Sequence, residues 1–437
     1  MPTRRIHNWD RTLSWRPTAL HRVRSTEEVA RVVASAAERG ARVKAIGGAL
    51  SWSDVAGIPD EVVVLDDMAA VTVDVEGMRA TVQAGARLRD VNDVLAAHGL
   101  AFENFGSITM QTAGGYTGTG THGTGGRTTI LSSHVESMTL VDGLGRIRHL
   151  DATTEPDVFS AARVHLGCLG VVTELTFRCV PAFDLEERLE VLPFDDALSK
   201  LDDYVDANDY CKLWWLPFND AVQVYRFNKT DAARTSLSMQ ERLDKAGVSG
   251  MAFGGLLRFG RAVPGAIPTV LRVAQASSFR PHRRVDRSDQ IIKYVGAIPR
   301  HQETEYAIPR ERAVDAIDRW RRLVLRADSY RVNFTQEMRF VAGDDIPMSP
   351  ASGRASAYLG GYIASVKWAP LYFTDFEALM ADYDGRPHWG KSFDRTAAEL
   401  RALYPRYGEF DSVRRGCDPR GVFRNSFVDR VFPPAAG

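Results

Sequence analysis

The chain has 437 residues, of which 44% are hydrophobic and 25% charged, and its 55 basic residues balance 55 acidic ones. This composition is typical of a globular protein of two or three domains, and a net charge of zero gives no electrostatic case for binding nucleic acid or an anionic membrane. The chain shows no integral membrane segment and no signal-peptide pattern, and its four cysteines form no paired motif. We therefore expect a cytoplasmic protein with reduced thiols.

The N-terminal part of the chain alternates helix and strand patterns. Residues 25–40 predict a helix, because Ser25 and Glu28 have the spacing of a capping box and Gly40 suits the position after the last turn. A hairpin is predicted at 71–84, where two alternating segments surround a turn. Further strands are predicted at 43–46, 61–65, 135–141, 146–150 and 171–177, and a second helix at 88–97.

The composition changes after residue 181, where aromatic residues become more frequent. Alternation at 221–227 predicts a strand of a second sheet. Residues 250–276 are apolar and glycine-rich but are interrupted by arginines and prolines. We interpret them as a helical segment that covers the second domain, with contact to a membrane surface as the alternative. A last helix is predicted at 396–403.

The most informative segment is 112–126, TAGGYTGTGTHGTGG, which holds seven glycines and five threonines. Glycine lets backbone N–H groups approach a ligand closely, and a row of such donors suits a pyrophosphate. A second glycine turn, IGGALSWS, lies at 46–53. The two turns predict a large phosphate-bearing cofactor. Gly118, Gly120 and Gly123 also match the dinucleotide-binding pattern, but no amphipathic helix follows them, so we disfavour an ordinary nicotinamide-binding unit.

Three segments further along the chain could carry chemistry. Glu337 and Arg339 are two residues apart in a predicted strand, so they share a face and can hold a polyol, while the arginine keeps the acid ionised. Without further context, a surface cross-strand pair is the alternative. Lys391 can place a positive charge beside a developing anion, and Ser107 offers a hydroxyl group from a loop. The ten histidines show no metal-ligand spacing, so we predict no metal.

Together these segments resemble the FAD-linked oxidases of the vanillyl-alcohol-oxidase superfamily, in the branch of aldonolactone and alditol oxidases. The resemblance implies an α+β fold. A two-subdomain FAD-binding domain would span residues 1–180 and be completed by the tail, about 405–437. A substrate domain with an antiparallel sheet flanked by helices would span 181–404. The matching segments are VKAIGGALSWSD at 43–54, the glycine run at 112–126, GCLGVVTELTF at 167–177, E-x-R at 337–339, RPHWGK at 386–391 and LYPRYGEFDSVRRGCDPRGVFRNSF at 403–427.

The resemblance also implies which residues contact FAD and which act in catalysis. Ser107, Glu337, Arg339 and Lys391 would be the catalytic residues on the substrate side. The positions that match cofactor contacts are Ile46, Gly47, Gly48, Ala49, Leu50, Ser51, Trp52, Gly106, Ser107, Thr112, Gly114, Gly115, Thr117, Gly118, Thr119, Gly120, Thr121, His122, Gly123, Gly170, Val172, His388, Lys391 and Asn425.

The implied reaction is hydride transfer from a carbinol carbon of a sugar-type substrate to flavin N5, with molecular oxygen reoxidising the flavin to give hydrogen peroxide. Lys391, or water held by it, is the candidate that removes the hydroxyl proton. The alternatives are a dehydrogenase with another electron acceptor, oxidation of a specialised glycosylated intermediate, and a flavin-binding protein without turnover.

Three positions depart from the family pattern. Leu50 stands where many relatives carry the histidine that links FAD covalently, so we expect non-covalent FAD. Gly106 replaces an alanine that can obstruct oxygen, which favours an oxidase. Gly360, Gly361 and Tyr362 differ from the contacts of alditol oxidases, which leaves room for a bulkier sugar, a lactone or a glycosylated substrate.

Overall fold

A computed structural model describes residues 5–434, apart from residues 237, 240, 241, 244, 245 and 295–297 and the side chain of Ser278. The chain begins with a ribbon of β1 (Ile6–His7) and β2 (Ser14–Trp15). A three-stranded parallel sheet follows, in which β5 (Glu61–Val64) lies between β3 (Ala19–Arg22) and β4 (Val43–Ile46).

The first helix, α1 (Thr26–Arg39), connects β3 to β4 as the sequence predicts. The Ser25 hydroxyl accepts the Glu28 N–H at 3.2 Å, which satisfies one of the free donors of the first turn. Gly40 ends the helix with φ of +69°, a conformation that costs glycine little. Both predicted ends of this helix are confirmed.

A second, antiparallel sheet completes the N-terminal part, with strands in the order β10-β9-β11-β7-β6. The predicted hairpin and the three later strands are all present in it. The elements of this region are β6 (Val71–Asp74), β7 (Arg79–Gln83), α2 (Leu88–Ala97), β8 (Leu100–Ala101), α3 (Ala113–Gly118), β9 (Val135–Val141), β10 (Ile147–Asp151), α4 (Pro156–Ala162), β11 (Val171–Arg178) and β12 (Val180–Pro181).

The glycine run is more regular than its composition suggests, because α3 lies inside it. The Thr112 hydroxyl caps this short helix by accepting the Gly115 N–H at 3.3 Å. The run then turns back through Gly120, whose φ is +63°, toward strand β9. Since β9 joins an antiparallel sheet, the strand–helix–strand unit of nicotinamide-binding domains is not formed here, as the sequence indicates.

The middle of the chain builds an eight-stranded antiparallel sheet in the order β16-β13-β15-β14-β18-β19-β17-β20. Its elements, with the helices that flank it, are β13 (Asp184–Pro193), α5 (Phe194–Ser199), α6 (Leu201–Ala207), β14 (Tyr210–Trp215), β15 (Ala221–Thr230), α7 (Val248–Ala262), α8 (Ile267–Ser278), β16 (His282–Arg287), α9 (Ser288–Ile292), β17 (Gln302–Pro309), α10 (Ala313–Arg326), β18 (Gln336–Val341), β19 (Ser356–Ile363), α11 (Ala369–Ala381) and β20 (Arg386–Pro387).

The tail returns to the N-terminal part through α12 (Ala397–Leu403), α13 (Tyr407–Cys417) and α14 (Ser426–Val431). Phe423 and Phe427 belong to the same hydrophobic cluster as residues of α1 and β9, and the Val43 N–H donates to the Val422 carbonyl at 2.8 Å. A second large cluster lies between the eight-stranded sheet and its helices. All four cysteines are buried and unpaired. Within the described ranges, no helix has the length and apolarity needed to cross a bilayer.

Candidate active site

A long cleft, which we call the glycine cleft, runs between the turn after β4 and helix α3. Its cavity volume is about 110 Å³. Its two glycine-rich walls come from the segments that the sequence singles out, and Phe423 of the tail also lines it. The predicted cofactor contacts that line the cleft are Ile46, Gly47, Gly48, Ala49, Leu50, Ser51, Thr112, Gly114, Gly115, Gly118, Thr119, Gly170 and Val172.

The walls of the glycine cleft lie so close to neighbouring groups that side chains in place of its glycines would overlap them. A Cβ atom at Gly47 would come within 2.1 Å of Thr112 Oγ1, and one at Gly118 within 2.8 Å of the His165 ring. The cleft also holds a buried cation, Lys44, and burial lowers the pKa of this amine to about 8. His165 Nε2 is buried without a hydrogen-bond partner in the described structure. Tight backbone walls, a cation and a free polar atom fit a phosphate-bearing cofactor such as FAD.

Other predicted cofactor contacts do not line this cleft. Asn425 is used elsewhere: its side-chain oxygen caps α14 by accepting the Val428 N–H, and its amide donates to the Gly57 carbonyl at 2.8 Å. This asparagine therefore fastens the tail to the loop after β4. The remaining positions outside the cleft lining are Trp52, Gly106, Ser107, Thr117, Gly120, Thr121, His122, Gly123, His388 and Lys391.

The predicted pair of charges lies on β18, where Arg339 Nη2 approaches Glu337 Oε1 at 2.8 Å. The same guanidinium nitrogen donates to Ser107 Oγ at 3.0 Å, which connects the central sheet to the N-terminal part. Met338 and Phe340, on the opposite face of the strand, pack in the core. The predicted shared face of Glu337 and Arg339 is confirmed. Arg339 Nε is buried and has no partner among the described residues, so it can still donate to a ligand.

Glu337 is surrounded by donors. Trp214 Nε1 donates to it at 2.6 Å, the Tyr362 hydroxyl at 2.8 Å, and Lys212 Nζ lies 3.9 Å away. Burial alone would raise the pKa of the Glu337 carboxyl, but Arg339, Lys212 and the Trp214 N–H together lower it to about 2. The carboxylate therefore stays ionised and serves as an anchor for its neighbours.

Lys391 lies beside the end of the glycine cleft, because the Trp52 N–H donates to the Gly390 carbonyl at 2.8 Å. Its Nζ contacts Glu303 of β17 and lies 4.5 Å from the centre of the Trp52 ring and 5.9 Å from that of Tyr362. Burial lowers the pKa of Lys391 to about 7. Tyr362 thus links the two halves of the site, since its hydroxyl binds Glu337 and its ring faces Lys391.

Behind Lys391, Glu303 also contacts a histidine. His301 Nε2 lies 2.6 Å from Glu303 Oε1, and His301 Nδ1 lies 2.7 Å from the Pro299 carbonyl. Because a carbonyl oxygen can only accept, Nδ1 carries the ring proton. The contact with Glu303 therefore needs a second proton, held by His301 or by Glu303. Glu303 is in this way shared between an amine and an imidazole.

His122 and His388 meet at a second carboxylate of β17, Glu305. His122 Nδ1 lies 2.9 Å from the Gly123 carbonyl, and its Nε2 lies 3.2 Å from Glu305. In the part of the chain that the structure describes, these three residues are the one group of histidines, cysteines and acids spaced closely enough to surround a metal ion. However, the Gly390 N–H donates to His388 Nδ1 at 3.0 Å, so Nε2 carries the ring proton and neither nitrogen has a free lone pair. The hydrogen bonding therefore favours a polar network, and the absence of a metal stays a prediction.

Two glycines do not open the space that the sequence suggests. A Cβ atom at Gly106 would lie 2.8 Å from the His122 carbonyl oxygen and 3.2 Å from the Tyr116 hydroxyl, so it would meet protein. A Cβ atom at Gly360 would lie 2.7 Å from the Tyr362 ring, which fills the space beside that glycine. The expectation that the segment around Gly360 leaves room for a bulkier substrate stays a prediction.

Sequence reasoning missed the partners of the predicted residues: Lys212 and Trp214 of β14, and His301, Glu303 and Glu305 at β17. The alternation of β14 and β17 places these polar groups on one face. The order of strands decides what they contact, because Trp214 pairs with Glu337 and Lys212 with Arg339 across neighbouring strands. Alternation can be found in a sequence, whereas that register cannot.

Comparisons with known proteins agree with this geometry. The model of the D-arabinono-1,4-lactone oxidase family matches residues 175–431, and that of an FAD-binding domain matches residues 17–151. The L-gulonolactone oxidase of Bos taurus is 32% identical over 434 residues, which cover 98% of each chain. The L-gulono-1,4-lactone dehydrogenase of Mycobacterium tuberculosis is 34% identical over 428 residues, which cover 98% of this chain and 99% of that one.

Among solved structures, the cholesterol oxidase of B. sterolicum matches with a TM-score of 0.84, over 98% of this chain and 96% of that one. The two sequences are 15% identical, so this likeness concerns the fold alone. It confirms an α+β fold with a large antiparallel sheet.

Proposed function

This chain belongs to the D-arabinono-1,4-lactone oxidase family of FAD-binding oxidoreductases, and we propose that it oxidises an alcohol group of a sugar lactone. The observation that carries the proposal is the hydrogen-bonded line from Ser107 through Arg339 to Glu337. It presents a hydroxyl and an incompletely satisfied guanidinium to a small pocket that Ser107, Lys212 and Arg339 line. The names of the relatives that cover the whole chain support a lactone as substrate.

When bound in the glycine cleft, FAD supplies the hydride acceptor, at flavin N5. Arg339 Nε and Ser107 Oγ orient the hydroxyl groups of the lactone, and Glu337 holds Arg339 in place. Glu337 is a poor proton acceptor because its pKa is lowered to about 2. The guanidinium of Arg339 stays charged, because Glu337 raises its pKa further despite burial. Lys391 receives the hydroxyl proton, since burial brings the pKa of its amine to about 7.

The flavin is bound non-covalently in this proposal. Leu50 lines the glycine cleft and offers no nucleophile, and His122 is turned toward Glu305 and stacks on Tyr358 with ring centres 3.6 Å apart. We assign the FAD-binding domain to residues 1–180 with the tail 405–437, and the substrate domain to 181–404. Most residues of the two large hydrophobic clusters follow this division, although the first cluster also takes in Ile346, Met348, Trp389, Leu400 and Tyr404. The buried free thiols support a cytoplasmic location.

Oxygen is the proposed electron acceptor, which makes the protein an oxidase that releases hydrogen peroxide. The mammalian relative's name supports this assignment. The second candidate is a dehydrogenase, and two observations favour it: the name of the relative from M. tuberculosis and the packing at Gly106, where a methyl group would meet the His122 carbonyl.

The test is to mix the flavin-loaded protein anaerobically with L-gulono-1,4-lactone, D-arabinono-1,4-lactone or an alditol and to follow the visible flavin absorbance. Bleaching by a lactone, but not by the alditol, supports the proposal. Rapid recovery of the absorbance with release of peroxide on admitting air identifies an oxidase, and recovery only with an artificial acceptor identifies a dehydrogenase. A flavin that no lactone bleaches contradicts the proposed function.

A further inference from the structure

A small pocket lies between the loop that carries Ser107 and the face of the eight-stranded sheet that carries Arg339. Asn104 and Lys212 also line it, and we call this space, lined by these four residues, the polar pocket. Its volume is about 20 Å³, which is the size of one water molecule or one hydroxyl group. A group that binds there must therefore be small, and the polar atoms around it decide its chemistry.

Two buried atoms of the polar pocket have no hydrogen-bond partner among the described residues: Arg339 Nε, a donor, and Asn104 Oδ1, an acceptor. The orientation of the Asn104 amide is set by its other end, because Nδ2 donates to Thr128 Oγ1 at 2.9 Å and to the Thr129 carbonyl at 3.1 Å. A carbonyl oxygen can only accept, so the amide nitrogen lies on that side and the amide oxygen is left for a ligand. Because a buried donor or acceptor without a partner is costly, a ligand that satisfies both atoms binds favourably.

Lys212 adds a cation to the polar pocket. Its side chain is 13% exposed, and its Nζ lies 3.9 Å from Glu337 Oε1, which is too far for a hydrogen bond. The amine lies 4.3 Å from the centre of the Trp214 ring and 5.0 Å from that of Tyr225, and both rings favour its charged form. Burial lowers the pKa of Lys212 to about 8, so the amine is still mostly protonated at neutral pH. At this distance Glu337 leaves the N–H groups of the amine able to donate to a ligand.

The order of the strands brings Lys212 to the same place as Arg339. The two residues are direct partners across β14 and β18, so their side chains project from the same face of the sheet. Arg339 also donates to Ser107 Oγ at 3.0 Å, which fixes the guanidinium beside the loop that carries Asn104. The proposed mechanism gives the proton to Lys391 and uses neither Lys212 nor Asn104, so these two residues are available for another role.

The polar atoms of the pocket together select a hydroxyl group. A hydroxyl can donate its proton to Asn104 Oδ1 and accept from Lys212 Nζ and Arg339 Nε with its two lone pairs. A carbonyl or ether oxygen has no proton to give to Asn104, and an ammonium group is repelled by the two cations. A carboxylate is too large for the pocket and also cannot donate. Of these groups, a free hydroxyl is the one that satisfies all three atoms.

We propose that the polar pocket binds one free hydroxyl group of the lactone, and that Lys212 and Asn104 determine the specificity for it. This inference rests on the proposed function, because the hydroxyl belongs to the lactone whose other alcohol group is oxidised. It narrows the substrate class to lactones with an unsubstituted hydroxyl at that position. A hydrogen there would leave the buried polar atoms without a partner, and a methoxy group or an attached sugar would exceed the volume of the pocket.

The test uses the flavin-loaded full chain and a lactone that bleaches its flavin, together with analogues in which one hydroxyl at a time is replaced by hydrogen. Anaerobic stopped-flow absorbance at several concentrations gives the limiting rate of flavin reduction and the dissociation constant of each lactone. The analogue without the reacting hydroxyl gives no reduction and identifies the reacting position. We expect one other deoxy lactone to bind at least about 10²-fold more weakly than the parent, because a site built for a hydroxyl rejects a substrate without it.

Lys212→Met should weaken binding of the parent lactone at least about tenfold, because a charge-assisted hydrogen bond is lost. Binding of that deoxy lactone should stay within about threefold, since it makes no contact that the substitution removes. Most of the preference for the hydroxyl should therefore be lost. Lys212→Gln, which keeps an N–H donor without the charge, should retain part of it. The matched control is Lys229→Met, which changes an exposed lysine of the neighbouring strand β15 and should keep the full preference.

Flavin absorbance and thermal unfolding check that every variant is folded. An unchanged preference in Lys212→Met would overturn the proposal, and so would a native protein that binds every deoxy lactone as it binds the parent. An equal loss with every lactone would also overturn it, because Lys212 would then act on the fold or on the reacting group. A flavin that no lactone bleaches would instead refute the proposed function, and this inference with it.

Discussion

Arg339 Nη2 donates a hydrogen bond to Ser107 Oγ at 3.0 Å, although 232 positions separate the two residues in the sequence. The serine belongs to the loop that precedes the glycine run, and the arginine to a central strand of the eight-stranded sheet. The bond therefore couples the cofactor side of the molecule to the substrate side. A substitution of Ser107 or of Arg339 should therefore alter the position of the other side chain.

Glu337→Gln is expected to slow anaerobic reduction of the flavin by a lactone about 10²-fold, because Arg339 loses the charge that fixes its position. The buried guanidinium would also lose its counter-charge, at a cost of about 3 kcal/mol in stability. Stopped-flow absorbance and thermal unfolding measure the two effects. Glu377→Gln is the control, because it removes a carboxylate that contacts Tyr306 on the opposite face of β17. Equal rates in the two variants would show that Glu337 does not anchor Arg339.

The rate of flavin reduction should rise with pH through about 7 and then level off, because burial sets the pKa of Lys391 near that value and the neutral amine is the proton acceptor. Lys391→Met should abolish this dependence and lower the plateau by about 10² to 10⁴. A reduction rate that falls as the pH rises, or an unchanged profile in the methionine variant, would assign the proton to another group.

Glu303→Gln should move the midpoint of that profile to lower pH. The carboxylate of Glu303 faces the Lys391 amine and favours its protonated form, so its removal makes the neutral amine available earlier. Among the described residues, the rings of Trp52 and Tyr362 also face Lys391, and the His301 imidazole interacts with its charge; the substitution leaves all three in place. An unchanged midpoint would mean that Glu303 is already protonated in the resting site, and a shift to higher pH would contradict the assignment of the profile to Lys391.

Acid precipitation should leave the flavin in the supernatant, because Leu50 cannot form a covalent link. Absorbance of the supernatant and of the redissolved pellet gives the distribution. A yellow pellet would require a linking residue other than the one at position 50.

Gly106→Ala should destabilise the protein by about 1 to 3 kcal/mol, because the new methyl group would overlap the His122 carbonyl and crowd the Tyr116 hydroxyl. Thermal unfolding of the flavin-loaded protein measures this change, and peroxide release per turnover measures any effect on oxygen. Gly408→Ala is the control, since nothing lies within 4 Å of a Cβ atom there. If Gly106→Ala has unchanged stability, the loop that contains Gly106 can shift to make room for a methyl group. The position could then carry a side chain that blocks oxygen.

Much of the N-terminal fold could be predicted because its signals are local. Helix α1 is bounded by Ser25 and Gly40, and helix α2 begins and ends where its apolar pattern does. The glycine run and the turn at 46–51 indicate the cofactor cleft because only close backbone approach needs so many glycines. Glu337 and Arg339 share a face because the period of a strand is two.

The rest depends on contacts between distant segments. Tyr362 reaches Glu337 because β19 lies beside β18, and Glu303 reaches Lys391 because β17 pairs with β20, the strand that leads into Lys391. The position of Asn425 in the tail matches a flavin contact of the family, yet its side-chain amide donates a hydrogen bond to the Gly57 carbonyl and holds that loop. At Gly106, a Cβ atom would meet the His122 carbonyl and the Tyr116 hydroxyl, and only the path of the glycine run brings these groups to that loop.

The tail has a consequence for the order in which the protein can mature. Phe423 lines the glycine cleft, and the Val422 carbonyl accepts a hydrogen bond from β4, so part of one wall of the cleft is supplied by residues that are synthesised long after β4. While those residues are still inside the ribosome's exit tunnel, the segments that precede them can fold but the cleft stays open along that wall. Stable cofactor loading is therefore expected to follow synthesis of Val422 and Phe423, and shortened products of translation that lack these residues should not retain flavin.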